Sequence, residues 1–220
     1  MNRATSLLFL IGLFGAAPLV GSAKIADQTY ALVVASQPRI GDLVFTRAGG
    51  PLFAYVATTT SSWTSHVGII VSQHDGDWIV AESGVPRVRK TPLRQFLDRS
   101  VDEQFAIMRL RREPSESQQA MMLAYADTQL GKFYHLGFDL TSKRTFCSKF
   151  VHDVVAESTG QQLGQVETFD HLLHSNPNAP LWFWRTWFFG FVPWNRTTIT
   201  PASELVSPLL RPVLTCHVST

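Results

Sequence analysis

Apolar residues along this chain fall in short runs, and turn-forming residues stand at the ends of most of them. Gly41-Asp42 opens Leu43-Val44-Phe45, which reads as a first strand. Gly49-Gly50-Pro51 marks the start of a short helix over Leu52 to Ala57. From His66 to Val71 the run is rich in β-branched residues (Val67, Ile69, Ile70, Val71), the composition of a buried strand. His74-Asp75-Gly76-Asp77 then supplies hairpin chemistry, because Asp-Gly accommodates positive φ. Trp78 to Glu82 returns antiparallel. Pairing Ile70 and Val71 with Trp78 and Ile79 draws Glu82 towards the His66 end of the ladder. Arg87-Val88-Arg89 and Phe105 to Arg109 are further strand candidates.

The period lengthens in the second half. Ser115 to Leu130 reads as a helix: Pro114 precedes it, Ser115-x-x-Gln118 matches a capping box, and Gly131 sits where a C-cap glycine belongs. A second helix is expected from Cys147 to Ser158, with Phe150, Val151, Val154 and Val155 on one face and Gly160 at its end. These elements give an antiparallel sheet flanked by helices, an α+β class. No repeat or low-complexity linker interrupts residues 24–220, which read as one domain. Residues 181–194 stand apart, holding four of the six tryptophans. Interrupted by Arg185 and Pro193, this stretch is too short to span a membrane. It reads as cover for the sheet, with some rings free to grip an acyl chain or settle at a membrane interface.

The N-terminus changes the picture of where the protein works. Arg3 precedes an apolar run from Leu7 to Val20, and Gly21-Ser22-Ala23 offers small residues at a cleavage site. The run falls short of the roughly 20 residues that span a bilayer. A signal peptide over 1–23 is therefore expected, with export to a periplasmic or secreted location. Apolar residues make up 45% and charged residues 16% of the 220, a globular composition. The net charge is only +2 and no basic run exceeds two residues, which argues against nucleic-acid binding. Nothing in the pattern fixes an oligomeric state.

Candidate chemistry centres on Cys147, placed where a polar loop gives way to an apolar helix. A helix N-terminus favours a thiolate, and its free N–H groups can cradle an oxyanion. A thiol nucleophile needs a base, and the base needs an orienting group. His66, opening the β-branched strand, is held on a rigid element, and Glu82 closes the antiparallel partner. A carboxylate there can select the imidazole tautomer. Two alternatives stand beside this reading. Export permits a Cys147–Cys216 disulfide, since these are the two cysteines. His171-x-x-His174 has a helical spacing that suits a metal, but no third ligand and no His-Glu-x-x-His motif accompany it, so no metal or other cofactor is expected.

Four motifs in order carry a resemblance. Gly41-Asp42-Leu43-Val44-Phe45, Ser65-His66-Val67-Gly68-Ile69-Ile70, Ala81-Glu82-Ser83 and Phe146-Cys147-Ser148-Lys149-Phe150-Val151 resemble the YiiX/YebB-like family. That family belongs to the circularly permuted, NlpC-type branch of papain-like cysteine hydrolases. The likeness runs from about Ile40 to Pro208 and takes in Ser175-Asn176-Pro177-Asn178-Ala179-Pro180 and Thr200-Pro201-Ala202-Ser203. It implies a papain-like fold in which His precedes Cys, with Cys147 as nucleophile, His66 as base and Glu82 orienting His66. Tyr134 is implied as an oxyanion donor, though relatives commonly carry that Tyr closer to the nucleophile. Phe146 stands where NlpC-type enzymes commonly have Asp.

Three functions fit these residues. The first is a cysteine-dependent hydrolase or acyltransferase acting on an amide or ester bond of a peptide or lipid-like substrate. Ser65 and Tyr134 would then serve the oxyanion or substrate, and Trp182, Trp184 and Trp187 would line the substrate's path. The second is a non-catalytic lipid- or acyl-binding module that uses the 181–194 aromatics and makes peripheral membrane contact. The third is an exported structural domain stapled by Cys147 and Cys216.

Overall fold

The Asp75-Gly76 turn sets the first register of the fold, since both residues adopt positive φ (49° and 87°) and close a two-residue hairpin. In the computed structural model, which describes residues 25–216, this hairpin joins β2 (His66–His74) to β3 (Asp77–Ser83). The candidate signal peptide over 1–23 lies outside the described residues. Four more strands complete an antiparallel sheet: β1 (Leu43–Ala48), β4 (Val88–Pro92), β5 (Ser100–Leu110) and β8 (Leu210–Cys216), in the order β4-β3-β2-β1-β5-β8. A small pair, β6 (Glu167–Thr168) and β7 (Thr197–Thr198), ties the later loops together.

The hairpin register differs from the expected one. Ile70 pairs with Val80, while Ile79 and Trp78 face Ser72 and Gln73, so Val71 is the extra residue of a bulge. The two-residue turn is the reason: it locks His74 opposite Asp77 and counts the ladder from there. Glu82 still reaches the His66 end.

Alternation along the strands gives the sheet two apolar faces. Leu43, Phe45, Val67 and Ile69 pack against α4 (Glu116–Gln129) and α5 (Cys147–Thr159) through Met122, Ala126, Phe150 and Val151. Val44, Ile70, Val80 and Ile107 pack on the other face against α1 (Asp27–Ala35) and α3 (Leu93–Leu97). The capping box at Ser115 is present, with Gln118 donating its N–H to the Ser115 hydroxyl. Gly131 and Gly160 both adopt the left-handed conformation expected after their helices.

A third cluster lies beyond the sheet's end. α2 (Pro51–Thr59) meets α6 (Phe169–Ser175), α7 (Leu181–Trp187) and the loops around them through Phe53, Val56, Phe138, Phe146, Phe169 and Trp184. The aromatic stretch thus divides: Trp184 is buried, whereas Trp182, Phe189 and Phe191 are exposed. α8 (Pro201–Leu205) closes the loop back to β8, an edge strand whose pattern alone did not announce it.

The Gly41-Asp42 motif has a structural function. Asp42 accepts two bonds of 2.7 Å from buried Arg109 and a third, of 2.8 Å, from the Arg39 N–H. Gly41 has φ +91°, and a Cβ there would come within 2.8 Å of Pro114. Removing one partner of a buried ion pair strands the other charge. Asp42→Ala is therefore expected to lower stability by about 3–5 kcal/mol in urea unfolding; a loss under about 1 kcal/mol would show that Arg109 finds water.

Candidate active site

Phe146 caps α5 in an extended conformation with no side-chain hydrogen bond, leaving the first-turn N–H groups of the helix to other partners. Cys147 is the first helical residue and is buried. Its Sγ lies 3.8 Å from Tyr134 Oη and 4.0 Å from the Ser65 carbonyl. Burial pushes the thiol up, but the His66 imidazole, the Tyr134 hydroxyl and the Ser148 N–H together bring its pKa below the ordinary value. Ser148 donates its hydroxyl to Ile199 O at 2.8 Å, which pins the start of the helix to the chain after β7.

His66 opens β2 at the end of the sheet. Its Nε2 lies 2.7 Å from Glu82 Oε2. Its Nδ1 is buried and makes no hydrogen bond, and Cys147 joins Glu82 in favouring the charged ring. Burial alone would lower the imidazole's pKa, yet Cys147 and Glu82 raise it from 6.5 to about 9. Phe96 stacks on the ring at 5.4 Å between centroids, and Phe53 meets it edge-on at 6.5 Å. Gly68 makes room for this packing, because a Cβ there would sit 2.5 Å from Val80 and 3.0 Å from Phe96.

Glu82 is fully buried and still ionised. Burial works against the charge, while His66 and Arg99 hold the carboxyl well below the usual carboxylate range. Oε1 accepts from Thr91 Oγ1 (2.7 Å), Arg99 Nη2 (2.5 Å) and Arg89 Nε (3.1 Å). Tyr134 reaches the thiol from a loop fixed by its N–H to Pro86 O and by pairing with Thr145. Burial and the neighbouring Cys147 push its hydroxyl well above 10, so it stays a hydrogen donor.

These residues match a known family. The model of the "permuted papain-like amidase enzyme, YaeF/YiiX, C92 family" fits residues 37–214. The chain belongs to this family. It is similar to the Escherichia coli K12 protein YiiX, itself described as uncharacterized, at 24% identity over 177 residues, 80% of this chain and 86% of YiiX. It also superposes on the crystal structure of "metalloprotein yiiX" from Escherichia coli O157:H7 with a TM-score of 0.75 at 25% identity, covering 81% of this chain and 98% of that one. Membership in the YaeF/YiiX family makes the protein a papain-like cysteine hydrolase with a permuted α+β fold.

Not every residue singled out by sequence converges on the thiol of this YaeF/YiiX-family site. The Ser65 hydroxyl accepts the Ala48 N–H at 3.1 Å, and it is the Ser65 carbonyl that faces Cys147. Trp184 donates to Thr59 Oγ1 and lines the cavity at Cys147. Trp187 donates to Leu136 O on the outer side, and Trp182 stands exposed against Tyr55. His171 and His174 pair with Glu167 and Asp170. Cys147 and Cys216 are both free thiols and belong to clusters on opposite faces of the sheet, so the stapled-domain reading has no bridge to rest on.

Sequence reasoning missed the residues that shape the cavity and hold Glu82. Phe53, Val56, Phe138, Phe146, Phe169 and Ile199 line a cavity of about 490 Å³, counting space open to solvent, with Cys147 in its wall. They come from five separate stretches and carry no common spacing. Arg89 did have a signal: it lies directly opposite Glu82 in the β3–β4 ladder. Arg99 had none.

The paired shifts of Cys147 and His66 predict a thiolate–imidazolium pair, whose pH behaviour separates two assays. Alkylation of Cys147 by iodoacetamide should stay fast below the ordinary thiol range, falling only as pH drops through the lowered thiol pKa. Raising the pH through about 9 deprotonates His66 but leaves the thiolate, so turnover should fall there while alkylation does not. His66→Ala should shift the alkylation curve up towards an ordinary thiol near pH 8.5. An unshifted curve in that variant would show that the imidazole does not activate Cys147.

Proposed function

We propose that the protein is a thiol acyl hydrolase that opens an ester or amide bond on an apolar acyl chain, with Cys147 as nucleophile, His66 as acid–base and Glu82 orienting His66. The observation that carries this reading is the apolar cavity that ends on Cys147 at the N-terminus of α5. The hydroxyls in its wall are largely committed: Thr60 and Ser148 donate to backbone carbonyls, Ser65 accepts the Ala48 N–H, and Thr59 accepts from Trp184. An acyl chain fits such a wall better than a peptide carrying polar groups.

The chemistry runs as follows in this proposal. The Cys147 thiolate attacks the carbonyl carbon, and the carbonyl π electrons move to oxygen. The resulting oxyanion is met by the Cys147 N–H and the Tyr134 hydroxyl. Collapse expels the alkoxide or amine, which takes the proton from His66 and leaves a thioester on Cys147. Water, or another nucleophile in a transfer reaction, then gives a proton to His66 and attacks the thioester, regenerating the thiolate. Glu82 keeps Nε2 bonded throughout, so that Nδ1 faces the sulfur.

The name of the relative raises the question of a metal. Among the described residues no group of three or more His, Cys, Asp or Glu is placed to hold one, so no step here passes through a metal. Trp182, Phe189 and Phe191, exposed on or just after the helix whose Trp184 lines the cavity, suit a surface that rests on a membrane and receives acyl chains from it. Among the described residues no helix is long and apolar enough to cross one. Export by the N-terminal leader is part of the same reading.

Cys147→Ala should fold as wild type by circular dichroism and lose all turnover of p-nitrophenyl esters. Residual activity near wild type would sink the mechanism. Across acetate, butyrate and octanoate esters, kcat/KM should rise with chain length, and Val56→Phe should abolish that rise while sparing acetate. A flat series in wild type would remove the acyl-chain assignment and leave a hydrolase of polar substrates. Retained binding of a fluorescent fatty acid by wild type and Cys147→Ala, with no turnover by either, would support the non-catalytic binding module instead.

A further inference from the structure

A second cavity shares Phe53 with the first, and its wall carries the charged groups that the first lacks. It measures about 620 Å³, counting space open to solvent, and its walls include Phe53, His66, Glu82, Gly84, Arg89 and Arg99. Cys147 stands in the wall of the first cavity and His66 in the wall of the second. Glu82 is the one acidic residue in the wall, and two guanidinium groups face it.

The charges do not cancel. Glu82 supplies one negative charge, through Oε1 to both arginines and through Oε2 to His66. With a thiolate–imidazolium pair at Cys147 and His66, the five groups carry a surplus of one positive charge. The arginines also keep donors in reserve. Arg89 uses Nε and Nη1 on Glu82 and Val85 O; Arg99 uses Nη2 and Nε on Glu82 and Gln95 O. Arg89 Nη2 and Arg99 Nη1 make no hydrogen bond among the described residues. Both side chains are more than a third exposed, so these donors are reachable. Gly84 leaves room for them, since a Cβ there would lie 2.6 Å from Arg89 Nη2.

Guanidinium groups with free donors in a wall beside the acid that protonates a leaving group form a receptor for an anion. We propose that Arg89 and Arg99 bind an anionic group, a carboxylate or a phosphate, on the leaving-group side of the substrate. The substrate is then an amphiphile: an apolar acyl chain in one cavity and a charged leaving group in the other, joined by the bond next to Cys147. This inference rests on the acyl-hydrolase reading above, and its test separates the two.

Three aryl octanoates with the same skeleton serve as probes: 4-octanoyloxybenzoate, 4-octanoyloxyphenyl phosphate and the neutral 4-octanoyloxybenzamide. Each kcat/KM is divided by the rate of the same ester with a small thiol in solution, which removes intrinsic leaving-group differences. Wild type should favour one or both anionic esters over the amide by about tenfold, less at high salt. Preference for the benzoate names a carboxylate; preference for the phosphate ester names a phosphate. Arg89→Gln and Arg99→Gln should each bring the ratio towards one, and Arg89→Lys should keep part of it. Equal normalised rates in wild type, or a ratio untouched by both Gln variants, would overturn the proposal.

Should none of the esters acylate Cys147, the acyl-hydrolase reading fails, and the anion site is read directly. Inorganic phosphate should then still slow iodoacetamide labelling of Cys147 in wild type but not in Arg99→Gln. Absence of that protection would overturn the site as well.

Discussion

Glu82 carries a full negative charge in the protein interior, and the rest of the site is arranged around keeping it there. A buried carboxylate without partners takes up a proton instead. This one receives Thr91, Arg89 and Arg99 on one oxygen and His66 on the other. Its charge then does two things to the imidazole: it fixes Nε2 as a donor, and it stabilises the protonated ring that burial would otherwise discourage. The protonated ring in turn lowers the thiol's pKa. Each step depends on the previous one, so the lowering of the thiol's pKa depends on cations that never touch it.

The fold delivers this chain of charges through backbone geometry. The two-residue turn and the bulge at Val71 decide which residue of β3 arrives beside His66. Gly68 leaves room for Phe96 to stack on the ring, covering one face of the imidazole bonded to Glu82. On the neighbouring strand the Asp42–Arg109 pair anchors the chain entering β1, which pairs Thr46 directly with His66. The helix bearing Cys147 packs on that sheet through Phe150, Val151 and Val154, so sulfur and ring are carried by two rigid bodies in contact.

Much of this was legible in the sequence because it is local. The capping box at Ser115, the turn at Asp75-Gly76 and the glycine ends of α4 and α5 are short-range devices with their own chemistry. The closeness of His66 and Glu82 followed from hairpin logic even though the register was off by the turn's count and a bulge. What the pattern hid is non-local. The cavity at Cys147 draws Phe53 from α2, Phe138 from a loop, Phe169 from α6 and Ile199 from after β7, and only the fold brings them together. The aromatic stretch showed its composition but not its division: Trp184 turns inward because Thr59 accepts its N–H, while Trp182 two residues earlier faces out.

Two fully buried glutamates in one small protein show why environment, not residue type, assigns the roles. Glu82 has four partners and stays ionised. Glu204 in α8 is equally buried, neither of its oxygens has a hydrogen-bond partner, and burial together with the Cys147 charge pushes its pKa well above the ordinary value. Both effects favour its neutral form. That neutrality matters for the thiol, because an ionised Glu204 would repel a thiolate at Cys147 and raise the very pKa that His66 lowers. One carboxylate thus stands where cations gather, on the imidazole side, and the other stands without hydrogen-bond partners, where burial favours the proton.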